Sequence, residues 1–124
     1  MNVLLIEPDL ILAKEYKKAF KQAGIDVDIS HTAQRAIMML DKQKYGAVIL
    51  ELQLAEHSGI EFLQEFRSYE DWALTPVFIY SSIPEYTLET DSKTWASFNV
   101  AGYFYKPKTT IKQLVDTVKV AISK

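Results

Sequence analysis

The sequence predicts an α/β fold, a doubly wound (βα)5 three-layer sandwich on a five-stranded parallel sheet. Three observations carry that expectation. Short apolar runs recur along the chain: Val3-Leu4-Leu5-Ile6, Ala47-Val48-Ile49-Leu50 and Val77-Phe78-Ile79-Tyr80. Uninterrupted runs of this length suit strands buried on both faces. Segments with helical spacing separate them. The resulting order, strand then helix five times over, calls for right-handed crossovers that cover both faces of the sheet.

The elements follow in order. After the first strand, Leu12, Tyr16, Ala19, Phe20 and Ala23 share one helical face, and Gly24 follows as a stop. Val27–Ile29 is a weaker strand, suited to an edge. Thr32 is placed to cap a second helix carrying Ala36, Ile37 and Leu40. Ala47–Leu50 is followed by a helix with Ile60, Phe62, Leu63 and Phe66. After the fourth strand, residues 85–98 are polar, with Leu88, Trp95 and Phe98 as the apolar anchors of a helix. Tyr103–Tyr105 is a second edge strand. The Thr109/Thr110 pair precedes the last helix, marked by Ile111, Leu114, Val115, Val118 and Ile122.

Composition narrows the function classes. The 124 residues make one domain, 1–124, large enough for a single core. A net charge of −2 gives no basic surface for nucleic acid. No cysteine is present, which removes disulfides and thiolate metal sites and points to the cytoplasm. No apolar run approaches the ~20 residues of a membrane span, and the N-terminus lacks the basic region of a signal peptide. His31 and His57 fall on different loops with no third ligand at helical spacing, so no metal and no cofactor are expected.

In a doubly wound sheet, sites form outside the carboxyl ends of the strands. Glu7, Pro8 and Asp9 follow the first strand. Glu51 ends the third, Ser81 and Ser82 end the fourth, and Lys106-Pro107 follows the fifth. Acids, a hydroxyl and a lysine thus converge on one rim.

These segments read "LLIEPD", "VILEL", "PVFIYSS" and "AGYFYKPK". In that order and spacing they resemble the receiver domain of two-component response regulators, the CheY-like branch of the flavodoxin-like folds, over essentially the whole chain. The family carries an acidic pair after its first strand, a phosphorylated aspartate ending the third, Thr or Ser ending the fourth, and Lys-Pro after the fifth. Gly59 and Glu61 in "SGIEFL" fit its loop-to-helix junction. Tyr103 matches its aromatic switch position, paired with Ser81. The resemblance also implies a cis peptide at Lys106–Pro107. The stretch from Ser81 to Lys106 is a few residues longer than the family's, which puts an extension in or beside the fourth helix.

The departures bear on function. Glu51 stands where the resemblance puts the phospho-accepting Asp. Glu7 replaces the first member of the acidic pair and Pro8 the second, the one expected to bind Mg²⁺ directly. Ala55 replaces a common Pro. Mg²⁺ needs near-octahedral oxygens at about 2.0–2.1 Å, and Pro8 offers no side-chain oxygen and no N–H. Glu51 is longer than Asp by one bond of roughly 1.5 Å. A displacement of about 1 Å costs on the order of a hundredfold in rate. The expectation is a degenerate phospho-acceptor site of Glu7, Pro8, Glu51, Ser81 and Lys106 that has lost phosphotransfer, a pseudo-receiver with no enzymatic activity of its own.

Several residues admit two readings. Glu51 either imitates the phosphorylated state beside Lys106 or only satisfies that lysine. Asp9 is a helix cap or a replacement ligand. Ser81 and Tyr103 act as a retained switch or simply bond and pack. Trp72 and Trp95 are interface anchors or rings over the core edge. The expected function is phosphorylation-independent signalling through a protein partner or a second copy of the chain. The face of the fourth helix, fifth strand and fifth helix offers Trp95, Phe98, Tyr103, Tyr105 and Lys108. The chain ends after that helix, so no DNA-binding output domain is expected within it. One alternative is a phosphorylatable receiver using Glu51. Another is a flavodoxin-like small-molecule binder, which wants a Ser/Thr/Gly phosphate cradle where "EPDL" is acidic.

Overall fold

The protein was described from a computed structural model covering residues 2–55 and 58–123; His57 lies outside the described residues. The strands are β1 (Val3–Ile6), β2 (Val27–Ser30), β3 (Ala47–Leu50), β4 (Val77–Ser81) and β5 (Gly102–Tyr105). The helices are α1 (Leu10–Gln22), α2 (Ala33–Lys42), α3 (Gly59–Ser68), α4 (Ser92–Ser97) and α5 (Ile111–Ile122). All strand pairs are parallel and the order is β2-β1-β3-β4-β5. The chain therefore switches direction across the sheet between β1 and β3. That is where a doubly wound sheet opens its crevice.

Strand alternation divides the core into two layers. Leu4, Ile6, Val48, Leu50, Val77 and Ile79 face α2, α3 and α4. Val3, Leu5, Ala47, Ile49, Phe78 and Tyr80 face α1 and α5. Both faces of β1, β3 and β4 are buried, which is why their sequences read as continuous apolar runs. The edge strand β5 is half-buried throughout.

Capping residues set the helix starts. Asp9 accepts from the N–H groups of Ile11 and Leu12, each at 2.9 Å, so it is the cap of α1. Thr32 caps α2 through Arg35 N–H. Ser58 with Glu61, and Thr110 with Gln113, close capping boxes on α3 and α5. Gly24 takes φ +82° just past α1, the left-handed turn that glycine adopts at least cost. Gly59 is required by space: a Cβ there would lie 2.6 Å from the Leu52 Cα.

Three sequence expectations are corrected. The helix over 85–98 is broken into a 3-10 turn at Glu85–Thr87 and the six-residue α4. Leu88 is extended and Asp91 starts the helix afresh by accepting from Thr94 N–H. Phe98 is 3% exposed, in the α2/α3 core layer rather than on an interface. No cis peptide occurs among the described residues, so Lys106–Pro107 is trans. Pro107 lies in the first turn of the 3-10 segment Lys106–Lys108, where its fixed φ and missing N–H are tolerated. Trp72 resolves to the core, stacked on Phe66 with centroids 5.4 Å apart.

Arg67 on α3 had no sequence signal. Its guanidinium donates to the carbonyls of Phe98 (2.8 Å), Trp72 (2.8 Å) and Thr75 (2.9 Å) and lies 5.0 Å over the Phe66 ring. One side chain thereby ties the turn after α3 to the turn before β5. Arg67→Ala strands those carbonyls, and charged hydrogen bonds contribute about 1.5–3 kcal/mol each. The expected outcome is a loss of about 2 kcal/mol in urea unfolding, which Arg67→Lys fails to restore because an ammonium lacks the planar fork.

Candidate functional site

The rim is assembled by ladder bonds that continue one residue past the strands. Glu7 N–H donates to Ser30 C=O at 2.9 Å, and Glu51 N–H donates to Ile6 C=O at 3.0 Å. Both glutamates therefore start from the two sides of the β1/β3 crevice. Ser81 is the last residue of β4, and Lys106 follows β5 directly. Four chain segments thus deliver Glu7, Glu51, Ser81 and Lys106 to one place. Glu7, Glu51 and Ser81 are buried.

Lys106 Nζ stands between the two acids. It lies 2.5 Å from Glu7 Oε1 and 3.0 Å from Glu51 Oε1. It also lies over two aromatic rings, 5.5 Å from the Tyr16 centroid and 5.6 Å from that of Tyr80. Every carboxylate oxygen of the pair has at least one donor, and each Glu51 oxygen has two. Glu7 Oε2 accepts from Asp9 N–H at 3.0 Å. Glu51 Oε2 accepts from the Ser81 hydroxyl and from Gln53 N–H at 3.1 Å, and Glu51 Oε1 accepts from Ser82 N–H at 3.2 Å. His31 Nδ1 bonds the Glu7 carbonyl at 2.9 Å.

From Glu51 a bonded chain leads outward. The Ser81 hydroxyl that donates to Glu51 accepts from Ile83 N–H at 3.1 Å. The Ile83 carbonyl accepts from the Tyr103 hydroxyl at 2.5 Å. Both polar groups of one residue, Ile83, are thus held, one from each end of the expected switch pair. Sequence reasoning named Ser81, Ser82 and Tyr103 but had no means of finding Ile83 or Gln53, because they act through backbone N–H and C=O.

Of the expected interface set, Trp95, Tyr103 and Tyr105 are half-buried and Lys108 is exposed. Tyr103 and Trp95 have centroids 6.1 Å apart. Pro8 is half-buried beside Glu7, without a side-chain donor or acceptor.

The charges settle in favour of ionisation. Burial alone would push Glu51 upward, but Ser81, the Gln53 N–H and Lys106 together hold it below its ordinary value. Burial alone would depress Lys106, and the two glutamates reverse that and raise it. The lowered Glu51 value adds stability that is complete above pH 4.5 and lost as pH falls through the folded value. The raised Lys106 value adds stability that is complete below pH 10.5 and lost as pH climbs through the folded value. A carboxyl ¹³C titration should place the Glu51 midpoint below 4.5; a higher midpoint contradicts the donor count. Lys106→Met leaves two buried carboxylates facing each other and should cost about 3 kcal/mol at neutral pH. Its native state then holds protons more tightly than the unfolded chain, so stability should rise as pH falls from 7 toward 5, opposite to a paired glutamate.

Comparison with known proteins places this geometry. The model of the response regulator receiver domain matches residues 3–119. The KDP operon transcriptional regulatory protein KdpE of Escherichia coli (strain K12) is 28% identical over 106 residues, 86% of this chain and 44% of that protein. The chain thus spans less than half the length of that relative. Among solved structures, a sensor protein from Polaromonas sp. JS666 superposes with a TM-score of 0.87 at 22% identity, covering 98% of this chain and 95% of that one. The chemotaxis response regulator CheY4 of Vibrio cholerae gives 0.81 at 17% identity, covering 97% of each chain. The fold is accordingly the CheY-like α/β sandwich, and the chain belongs to the response regulator receiver domain family.

Proposed function

We propose that this receiver domain signals by protein–protein contact without phosphorylation, with the Glu51 carboxylate standing where the family carries a phosphorylated aspartate. The observation that carries this reading is the set of four donors on Glu51. Lys106, Ser81 and two backbone N–H groups, from three segments of chain, already converge on its two oxygens. The extra methylene carries the carboxylate out to those donors. The bonded chain through Ser81 and Ile83 then holds Tyr103 inward, the position the resemblance associates with the signalling state. The module would act in the cytoplasm, in keeping with its lack of cysteine and of any membrane-length helix among the described residues.

The residues present do not fit Mg²⁺. Each oxygen of Glu7 and Glu51 already accepts from an ammonium, hydroxyl or amide hydrogen. Asp9 Oδ1 is engaged in capping α1, and Pro8 has nothing to offer.

Two experiments bear on the reading. The first is incubation with a small acyl phosphate and Mg²⁺, followed by intact mass. The wild type should take no adduct, and an adduct on it would favour the phosphorylatable alternative. Glu51→Asp and Pro8→Asp should each gain little, because one restores the nucleophile and the other the metal ligand. The double variant should gain far more than their sum, as coupled residues do.

The second concerns the partner, or a second copy of the chain, on the face of α4, β5 and α5. Trp95→Ala or Tyr103→Ala should weaken partner binding by more than about 1 kcal/mol, as aromatic anchors do, with circular dichroism unchanged. Unchanged binding in both would move the interface to another face.

A further inference from the structure

The outer side of α1 is a line of unpaired bases. Lys14, Lys17, Lys18 and Lys21 are exposed and, at 100° per residue, fall within an arc of about 120°. The exposed Leu10 and Ile11 continue that arc at the N-terminal end. Glu15 is the only acid of the helix. Lys17 and Lys21 border a small cavity with Asp26 and Asp28. Even so, none of the four lysines is in an ion pair among the described residues. The whole chain has a net charge of −2, so α1 is a local reversal of its field.

The outer side of α3 carries the opposite charge. Glu61, Gln64 and Glu65 share its exposed arc, and the exposed Glu70 and Asp71 follow. Arg67, the base of that stretch, is committed to the turn carbonyls. Glu61 also closes the capping box, so the carboxylates available to a neighbour are Glu65, Glu70 and Asp71. Beside α3 runs a groove. A cavity of about 690 Å³ lies between α2 and α3, with Ile37 and Met38 on one side and Gln64 and Glu65 on the other. No lysine or arginine lines it. Beyond the end of α3 stand the exposed Tyr69 and Leu74. A lysine answers both walls of such a groove, because its aliphatic stem covers apolar surface while its ammonium reaches a carboxylate.

We propose that the outer side of α1 docks antiparallel into the α2–α3 groove of a second copy of this chain. Antiparallel alignment sets Lys14 against Glu65, directs Lys18 to the groove and brings Leu10 and Ile11 beside Tyr69. The helices, about 20 and 15 Å long, match in reach. Ala13, Tyr16 and Phe20 root α1 in one core layer, and Phe62, Leu63 and Phe66 root α3 in the other. The two surfaces therefore lie on opposite faces of the sheet, and the contact is head-to-tail: it repeats from copy to copy rather than closing. One helix in one groove is smaller than the roughly 800 Å² per partner of a standard interface, so the association is weak and sensitive to salt. An acidic protein or an anionic membrane would answer the lysines alone. A second copy answers both surfaces at once, in charge and in apolar content. The contact uses neither Trp95 nor Tyr103, so linked copies still present the α4–β5–α5 face, several at a time.

Sedimentation velocity of the 124-residue chain tests this. At low salt the weight-average coefficient should climb without a plateau from about 50 μM to about 1 mM, and at about 0.5 M sodium chloride it should return to the monomer value. Lys14→Gln/Lys18→Gln and Glu65→Gln/Glu70→Gln lie at exposed positions, and circular dichroism should be unchanged in both. Each double variant should associate at least about fivefold more weakly. Mixed in equal amounts, they retain one intact α1 and one intact groove between them, and should form a dimer that does not grow. Trp95→Ala should leave self-association untouched, which separates this contact from the α4–β5–α5 face. A wild type that stays monomeric or stops at a dimer, association indifferent to both double variants, a monomeric mixture, or loss of association in Trp95→Ala overturns the proposal. Binding of the monomeric wild type to phosphatidylserine vesicles without self-association also overturns it, and assigns the lysines to a membrane.

Discussion

The ammonium of Lys106 is the contact on which the site depends. Two buried glutamates at the mouth of one crevice would repel each other in a poorly solvated place. Removing either charge from water is costly unless it is paired and hydrogen-bonded. Lys106 bonds one oxygen of each acid. Backbone N–H groups of Asp9, Gln53 and Ser82 and the Ser81 hydroxyl donate to the same carboxylates. No buried side-chain polar atom among the described residues lacks a partner. The rim is thus a closed network. Closure fixes the end of β5 against the ends of β1 and β3, although β5 pairs only with β4 in the sheet.

That closure explains why a glutamate serves at position 51. A shorter carboxylate would start from the same backbone position, since the Glu51 N–H is pinned to the Ile6 carbonyl. It would then stand about 1.5 Å back along the side chain. The donors it meets come from β4's end and from beyond β5, and they sit at glutamate range. Length therefore converts a strand-end acid into a junction between β3, β4 and β5. The same length brings two donors to each Glu51 oxygen, Lys106 and Ser82 N–H on one and Ser81 and Gln53 N–H on the other.

Much of this was legible in the sequence because it is written in periodicity and strand ends. Buried strands announced themselves as apolar runs, caps as Asp9, Thr32 and Thr110, and the rim as the polar residues that follow each run. What escaped was written in distances. Arg67 looked like any helix-surface base, and only the fold brings Phe98 and Thr75 within its reach. Phe98 looked like part of an aromatic surface because Trp95, Tyr103 and Tyr105 accompany it along the fourth helix and fifth strand; the end of α4 turns it inward. The polar run 85–98 concealed a break, since an extended Leu88 followed by a capping Asp91 is set by packing and local hydrogen bonds rather than by spacing. Ile83 carries its role in its backbone, which no side-chain pattern reveals.

The strength of the Glu51 network bears on whether the switch is fully held. A phosphoryl group brings about −1.5 to −2 charges and three strong acceptor oxygens. A carboxylate brings one charge and two. Glu51 also divides Lys106 with Glu7, whose contact is the shorter of the two. The hold on Ser81, and through Ile83 on Tyr103, is accordingly weaker than a phosphate would give. If Tyr103 acts as the switch proposed above, a weaker bias would leave its two positions closer in free energy, and a partner that prefers one position would supply the rest. On the proposed reading the domain would report the presence of a partner rather than record a chemical mark. Shifting a balanced pair of states needs little differential affinity, whereas a ratio of 1:99 needs about 5.5 kcal/mol to invert.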